Sequence, residues 1–323
     1  MLAAYVSHFD PDHPLRGLAI GARPMPAGRE SWTRVRVVAA SLNHHDLSSL
    51  RGGAAMRQRG GAGLTEADLP KILGMDAAGV TEDGREVIIY PLVTRPGQFG
   101  ALSGRYDGTF AEYVVVPDEN LIPKPSSLSF ETAACLPTAW LTAYRMLFEK
   151  AEIPPGGTVL VQGASGAVPT ALVVLGKNAG YRVWVTGRSD ETRAFALKLG
   201  ADAAFEMNAR LPERVDAVMD VVGAPTWPHS LKCLKRFGTL VAPGATSGYA
   251  ATVDIARLFT MELRIVGTAM GSLQQLEALI DLCASQQLPV PIDRVIGLKD
   301  IGAAFDAMEK GRLRGKAVIR FRG

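Results

Sequence analysis

The stretch TVLVQGASGAVPT, residues 158–170, reads as a strand that runs into a glycine turn and then a helix. A turn of this kind can hold a diphosphate, because the unpaired N–H groups and dipole of a helix N-terminus favour negative charge. Gly163 permits the sharp exit from the strand. Gly166 lets the backbone approach phosphates with no Cβ in the way. A third glycine usually follows three residues later, where this chain has Pro169. If the helix begins near Gly166 or Ala167, Pro169 falls in its first turn, where a missing N–H has no intrahelical partner to lose. The amides of Gly166, Ala167 and Val168 then remain as donors, with Ala164 and Ser165 completing the turn.

Outward from this turn, strand and helix alternate. Strand 158–162, helix 167–179, strand 181–186, helix 190–199, strand 215–222, helix 226–236 and strand 238–243 form a βαβ series. Such a series calls for a parallel sheet covered on both faces, an α/β architecture. The second strand selects the nucleotide. An NAD-binding unit places Asp or Glu on the adenosine ribose about 20 residues after the turn. Here the strand ends in Thr186-Gly187-Arg188-Ser189. Arg188 can pair with a 2′-phosphate, helped by the hydroxyls of Thr186 and Ser189, which favours NADPH over NADH. Asp190 reads as the cap of the next helix.

The flanks are different. Bursts of β-branched residues at 34–43, 85–93 and 110–125 read as strands without parallel regularity. The Gly-rich segments 51–70 and 94–108 read as mobile loops. Ser129 is a candidate N-cap for the helix that opens the βαβ series. After about residue 267 come an amphipathic helix (273–285), a strand (292–296), a helix (300–310) and a final strand (315–321), which need not join the parallel sheet. The basic residues Lys310, Arg312, Arg314, Lys316, Arg320 and Arg322 read as the solvated face of that last strand and helix end.

With 323 residues, two domains are the better expectation. A net charge of +3 lacks the excess that a nucleic-acid partner needs. Cys135, Cys233 and Cys283 are odd in number and far apart, with no C-x-x-C, so neither a disulfide framework nor a structural zinc lobe is expected. A reducing cytoplasm fits. Neither a signal peptide nor an apolar run near the roughly 20 residues of a membrane span is expected.

The segments VLVQGASGAV, VTGRSDETRAFALKLGAD, VDAVMDVVGAPTWPHSLKCLKRFGTLVAPGATSG and DGTFAEYVVVPDENLIPKP resemble the medium-chain dehydrogenase/reductase superfamily. The resemblance spans 2–320 and is closest to the zinc-independent, quinone oxidoreductase-like branch. It implies a Rossmann doubly wound parallel sheet, residues 129–266, inserted in a β-rich GroES-like catalytic domain formed by 1–128 and 267–323. It further implies that Val222, Gly223, Gly244, Ala245 and Thr246 flank the cofactor's ribose and nicotinamide. Gly267 and Met270 would lie near the nicotinamide, and Thr142 would face its ribose. Thr192 or Arg193, and Met207 or Asn208, stand where relatives often hold a 2′-phosphate with Lys and Tyr. A homodimer, paired through strands near 238–243 and 263–268, is also implied.

Zinc-dependent cousins hold their metal with a Cys and a His where this chain has Asn43 and Met75, so the resemblance implies no catalytic zinc. Adjacent His44 and His45, read as strand residues, would point to opposite faces and could not share an ion. Without a Lewis acid, the remaining chemistry is hydride transfer to an acceptor that is already electrophilic, a quinone or α,β-unsaturated carbonyl. Asn43 is expected to donate to substrate or cofactor. Asp46, beside Arg51, is expected to orient the loop, His44 or His45 to supply a proton, and Tyr106 to be the alternative. An enoyl-thioester or alcohol reductase on the same fold, and a non-catalytic NADPH sensor or scaffold, are the rival readings.

Overall fold

The computed structural model describes residues 1–52 and 63–322. The chain divides into two compact units. One contains Met1–Thr138, Leu276–Gln287 and Ile292–Gly323; the other contains Ala139–Gln275 and Leu288–Pro291.

In the second unit six parallel strands run in the spatial order Ala203–Glu206, Arg182–Gly187, Thr158–Gln162, Val215–Asp220, Leu234–Ala242, Arg264–Gly267. Numbered by sequence this is 3-2-1-4-5-6, the Rossmann order, in which the side on which successive strands are added reverses at the first strand. All five residues of Thr158–Gln162 are buried, as a central strand covered on both faces requires. The helices Ala167–Asn178, Asp190–Lys198 and Trp227–Cys233 alternate with the strands as expected. Two elements were not legible: the four-residue strand Ala203–Glu206 and the short helix Ile255–Thr260, both too brief to show a period. Strand Leu234–Ala242 is hydrogen-bonded on both sides, so it offers no edge to a second copy. Arg264–Gly267 ends the sheet.

The first unit is β-rich. Seven strands form its main sheet, with Trp32–Ser41 at the centre, pairing with Asp76–Thr81, Tyr113–Pro117 and Lys316–Arg320. The C-terminal strand is thus parallel to Ile292–Ile296 and antiparallel to Trp32–Ser41, outside the Rossmann sheet. The apolar core includes Val35, Leu42, Leu73, Ile89, Phe110, Phe305 and Ile319. Ser129 caps the helix Phe130–Ala133 by accepting from the Thr132 amide (3.1 Å). Of the loop expected over 51–70, positions 53–62 lie outside the described residues. The loop expected over 94–108 carries a short strand, Gly100–Ala101, paired with Leu92–Val93. No described helix is long and apolar enough to cross a membrane.

Candidate functional site

The glycine turn of the parallel-sheet unit is built as its residues dictate. Gly163 has φ +92°, a left-handed conformation that glycine adopts without a Cβ penalty. Gly166 is the N-cap of the helix Ala167–Asn178, and the first helical bond runs from the Thr170 amide to the Gly166 carbonyl (3.0 Å). Pro169 is therefore the third helical residue, where no intrahelical acceptor awaits an N–H. The amides of Gly166, Ala167 and Val168 have no acceptor among the described residues. A Cβ on Gly166 would meet only the Pro169 ring, at 3.5 Å. The turn is an open cradle of donors at a topological switch point, a fit to a dinucleotide's phosphates.

The end of the second strand differs in detail from the sequence reading. Thr186 is buried; its Oγ1 donates to Gln162 Oε1 (2.6 Å) and accepts from the Gly163 amide (3.4 Å). It braces the turn rather than facing outward. Ser189, not Asp190, caps the helix Asp190–Lys198, accepting from the Thr192 amide (3.3 Å). Both hydroxyls expected to assist Arg188 are thus engaged within the protein. Arg188 itself is exposed and has no hydrogen-bond or ion-pair partner among the described residues. Arg193 donates to the Gly187 carbonyl (2.9 Å) and to Asp190, which holds the turn in shape. The extra residues of that reading, Thr192, Met207 and Asn208, carry no comparable free cation; Thr192 is tied to Ser189.

Sequence reasoning missed Asp220, at the C-terminal end of the strand beside the turn. Its buried Oδ1 accepts from the amides of Val222 (2.9 Å) and Gly223 (3.0 Å), and the Thr226 hydroxyl reaches both carboxylate oxygens. Ser230 donates to Oδ2 (2.7 Å). This carboxylate fixes the Val222–Gly223 bend, where Gly223 has φ +96°. The signal was present in VDAVMDVVG, a charge inside an apolar run. Gly244 and Gly267 would each meet nothing within 4 Å on adding a Cβ, whereas Ala245 packs close to Gly223. Thr246 donates to the Val221 carbonyl (3.3 Å). Met270 is held through its carbonyl by Arg145 (2.9 Å). Thr142 is buried in the helix Leu141–Arg145.

In the β-rich unit the surprise is Lys316. Read from sequence as part of a solvated basic face, it is 1% exposed. Its Nζ donates to the Leu42 carbonyl (2.9 Å), Asn43 Oδ1 (2.7 Å) and Asp76 Oδ2 (3.1 Å). All three ammonium protons therefore have acceptors. Asp76, also fully buried, accepts in addition from Ser41 Oγ (3.0 Å), Asn43 Nδ2 (2.8 Å) and Thr138 Oγ1 (2.5 Å). Asn43 is consequently turned inward, its amide bound to Asp76 and Lys316, where an outward donor was expected. Strand Trp32–Ser41 ends before the histidines, and His44–Leu50 is a helix, so His44 and His45 start a helix rather than alternate along a strand. Both rings keep open surface, yet surrounding protein atoms desolvate them and disfavour their charged forms; the Lys316 charge adds to this at His44.

Asp46 reaches back to the Asn43 amide (2.8 Å) and so caps that helix. Its Oδ1 has no hydrogen-bond partner among the described residues. Burial pushes its carboxyl up to about 7, with the Asp76 charge adding and the Asn43 amide opposing. The expected ion pair with Arg51 is absent: Arg51 bonds Glu309 (2.7 Å) instead. Burial likewise pushes the Cys135 thiol up to about 12, which makes it inert. Tyr106 stands apart from this cluster; its hydroxyl donates to the Gln98 carbonyl (2.6 Å) and its ring leans on Trp32.

Among the described residues no group of three or more His, Cys, Asp and Glu side chains is arranged to hold a metal. Where zinc-dependent cousins place Cys and His, Asn43 and Met75 supply an amide and a buried thioether. The Lys316 ammonium already lies against Asn43 and Asp76 and would repel a second cation. These donors do not fit a zinc ion.

Comparison with known proteins follows the same lines. Residues 29–126 match the family described as alcohol dehydrogenase GroES-like domain, and residues 195–319 the family described as zinc-binding dehydrogenase. A 2-methylene-furan-3-one reductase of Solanum lycopersicum is 30% identical over 319 residues, covering 91% of this chain and 73% of its own. A crystal structure of an NAD-dependent alcohol dehydrogenase superimposes with a TM-score of 0.88 at 29% identity over 100% of both chains. The quinone oxidoreductase from Coxiella burnetii gives a TM-score of 0.81 at 28% identity, covering 100% of this chain and 99% of that one.

Proposed function

The chain belongs to the medium-chain dehydrogenase/reductase superfamily, oxidoreductases whose members bind nicotinamide cofactors, and from that premise we propose an NADPH-dependent, zinc-independent reductase of quinones or α,β-unsaturated carbonyls. The observation that carries the nucleotide preference is Arg188: an exposed guanidinium without a protein partner among the described residues, at the end of the second Rossmann strand. No carboxylate stands at 187–189 to bind ribose hydroxyls; Asp190, the next in sequence, and Glu206, opposite Gly187 on the neighbouring strand, both pair with Arg193. The misfit of Asn43, Met75 and Lys316 to zinc supports the metal-free reading. The likeness to an enone reductase and to a quinone oxidoreductase supports the acceptor class.

When bound, the nicotinamide supplies the hydride. This chain's residues bind and orient. The amides of Gly166, Ala167 and Val168 receive the diphosphate, and Arg188 the 2′-phosphate. Asp220 holds the Val222–Gly223 bend, and Arg145 holds Met270. In the β-rich unit, Asp76 and Lys316 fix Asn43 from within, and Asp46 fixes the start of the helix that carries His44 and His45. Water, or His44 or His45 in its imidazolium form, would deliver the proton that accompanies hydride. Three free, buried cysteines fit a reducing cytoplasm. A homodimer would form through the open edge Arg264–Gly267, near which Ile255, Phe259 and Ile265 are exposed.

The test compares nucleotide affinity and turnover in wild type and Arg188→Ala, with 9,10-phenanthrenequinone, an alkenal and a simple alcohol offered in turn. Arg188→Ala should weaken NADPH by about 10- to 100-fold, the value of one charge-assisted phosphate contact, and leave NADH nearly unchanged. An unaltered preference would reject the role of Arg188. Turnover only with the alcohol, or one tightly held zinc per chain, would reject the acceptor reading.

A further inference from the structure

A second cluster of functional groups lies on the β-rich unit, away from the hydrogen-bonded Asn43–Asp76–Lys316 group. An open pocket of about 550 Å³ is lined by Arg29, Arg95, Arg105, Trp32 and Tyr106, together with Glu30 and Gln98. Its volume lies in the range of small-molecule sites. The Trp32 and Tyr106 rings lie 5.2 Å apart. Guanidinium groups cover them: Arg29 is 5.0 Å from the Trp32 ring and 5.9 Å from the Tyr106 ring, Arg95 6.0 Å from Trp32, and Arg105 5.9 Å from Tyr106.

The three arginines are not equivalent. Arg95 is held by both carboxylate oxygens of Glu119 and donates to the Ser31 carbonyl (3.0 Å). Arg105 donates to the carbonyls of Phe99 (3.1 Å) and Gly97 (3.0 Å). These two, with Tyr106 bonded to Gln98, build the walls. Of the three, only the Arg29 guanidinium has no hydrogen-bond or ion-pair partner among the described residues; its carbonyl accepts from the Trp32 amide (3.1 Å). It is positioned by cation–π contact with two rings, and its N–H edges stay free for an anion. Glu30 offsets part of the positive charge, which suits a monoanion better than a phosphate dianion.

An adjoining cavity of about 140 Å³ shares Arg29, Trp32 and Tyr106 with the first. Its other walls include Met1, Pro24, Pro26, Ile72 and Val114, with Asp107, paired to Lys71, as the one carboxylate. A mainly cationic compartment and a mainly apolar one therefore meet at Arg29.

We propose that this bipartite surface binds a small amphipathic carboxylate, its head paired with the Arg29 guanidinium and its apolar tail seated between Pro24, Pro26, Ile72 and Val114. The site is separate from the nucleotide turn and does not depend on the reading of Arg188. Calorimetric titration of the full chain with hexanoate, hexan-1-ol and inorganic phosphate tests it. Hexanoate should bind saturably at millimolar levels, Arg29→Ala should weaken it at least tenfold, and neither hexan-1-ol nor phosphate should match it. Arg29 is exposed, so its replacement leaves the core intact. Four outcomes would overturn the proposal: no saturable hexanoate binding to wild type, equal binding to Arg29→Ala, hexan-1-ol binding as tightly, or phosphate binding as tightly.

Discussion

Replacing Lys316 with Met removes an ammonium from the centre of the β-rich unit while keeping side-chain length and apolar bulk, so little cavity forms. Three hydrogen bonds disappear, to Leu42, Asn43 and Asp76. The Asp76 carboxylate stays buried but keeps Ser41, Asn43 and Thr138 as donors. Breaking a buried pair by deleting one partner costs about 3–5 kcal/mol, and the three surviving donors place this case near the lower end, about 3 kcal/mol. That is a large share of the about 5–15 kcal/mol that holds a domain folded. Adding Asp76→Asn to Lys316→Met removes the stranded charge and should restore more than half of the loss. Urea unfolding of the wild type, both single variants and the double variant measures the coupling. Hydrogen exchange at the Leu42 amide, which bonds the Ala317 carbonyl (3.0 Å), reports locally. The reasoning fails if Lys316→Met loses less than about 1 kcal/mol, as an exposed pair would, or if the double variant loses the sum of the singles.

Asp46 gives a pH signature. Its folded carboxyl titrates at about 7 against 3.8 for the ordinary group, so the folded state keeps its proton while the unfolded chain releases it. Stability should therefore fall as pH rises from about 4 to about 7, by at most on the order of 4 kcal/mol at about 1.4 kcal/mol per pH unit. Asp46→Asn retains an acceptor for the Asn43 amide and should flatten this slope, matching wild type near pH 4 and exceeding it at pH 8; denaturation midpoints across that range would show an unchanged slope if the assignment were wrong. Gly166→Val should leave stability within about 1 kcal/mol, since Gly166 has an ordinary φ of −70° and a Cβ there would make only ordinary contact with the Pro169 ring. It should nevertheless weaken dinucleotide binding at least tenfold by placing methyl groups in the cradle, and a titration showing wild-type affinity would refute the phosphate position.

Much of this protein was legible along the chain. The glycine turn, the alternation around it and the tail outside the parallel sheet all follow from local rules: φ at Gly163, periodicity in the strands and helices, and Pro169 tolerated in a first helical turn. These depend on neighbours within a few residues, which the sequence states directly. The family likeness rests on the same segments. The exposed position of Arg188 at the end of the second strand was legible in the same way.

What the sequence could not state is which polar groups turn inward. Lys316 looked like one member of a basic surface run, as Arg320 and Arg322 are, and no local pattern separates them. Its burial is decided by the register that sets Val318 opposite Ser41 and Ser41 opposite Asp76, which brings residues 42, 43, 76 and 316 to one point. The same holds for Thr186, whose hydroxyl is claimed by Gln162 across two paired strands, and for Asn43, whose amide donates to Asp76 within the protein. A buried charge or amide must find partners wherever the fold supplies them. Local sequence thus determined most of the parallel-sheet elements and the glycine turn. Long-range strand pairing alone determined the buried network, because hydrogen-bond partners are chosen by distance in space, and here they come from positions up to 274 residues apart.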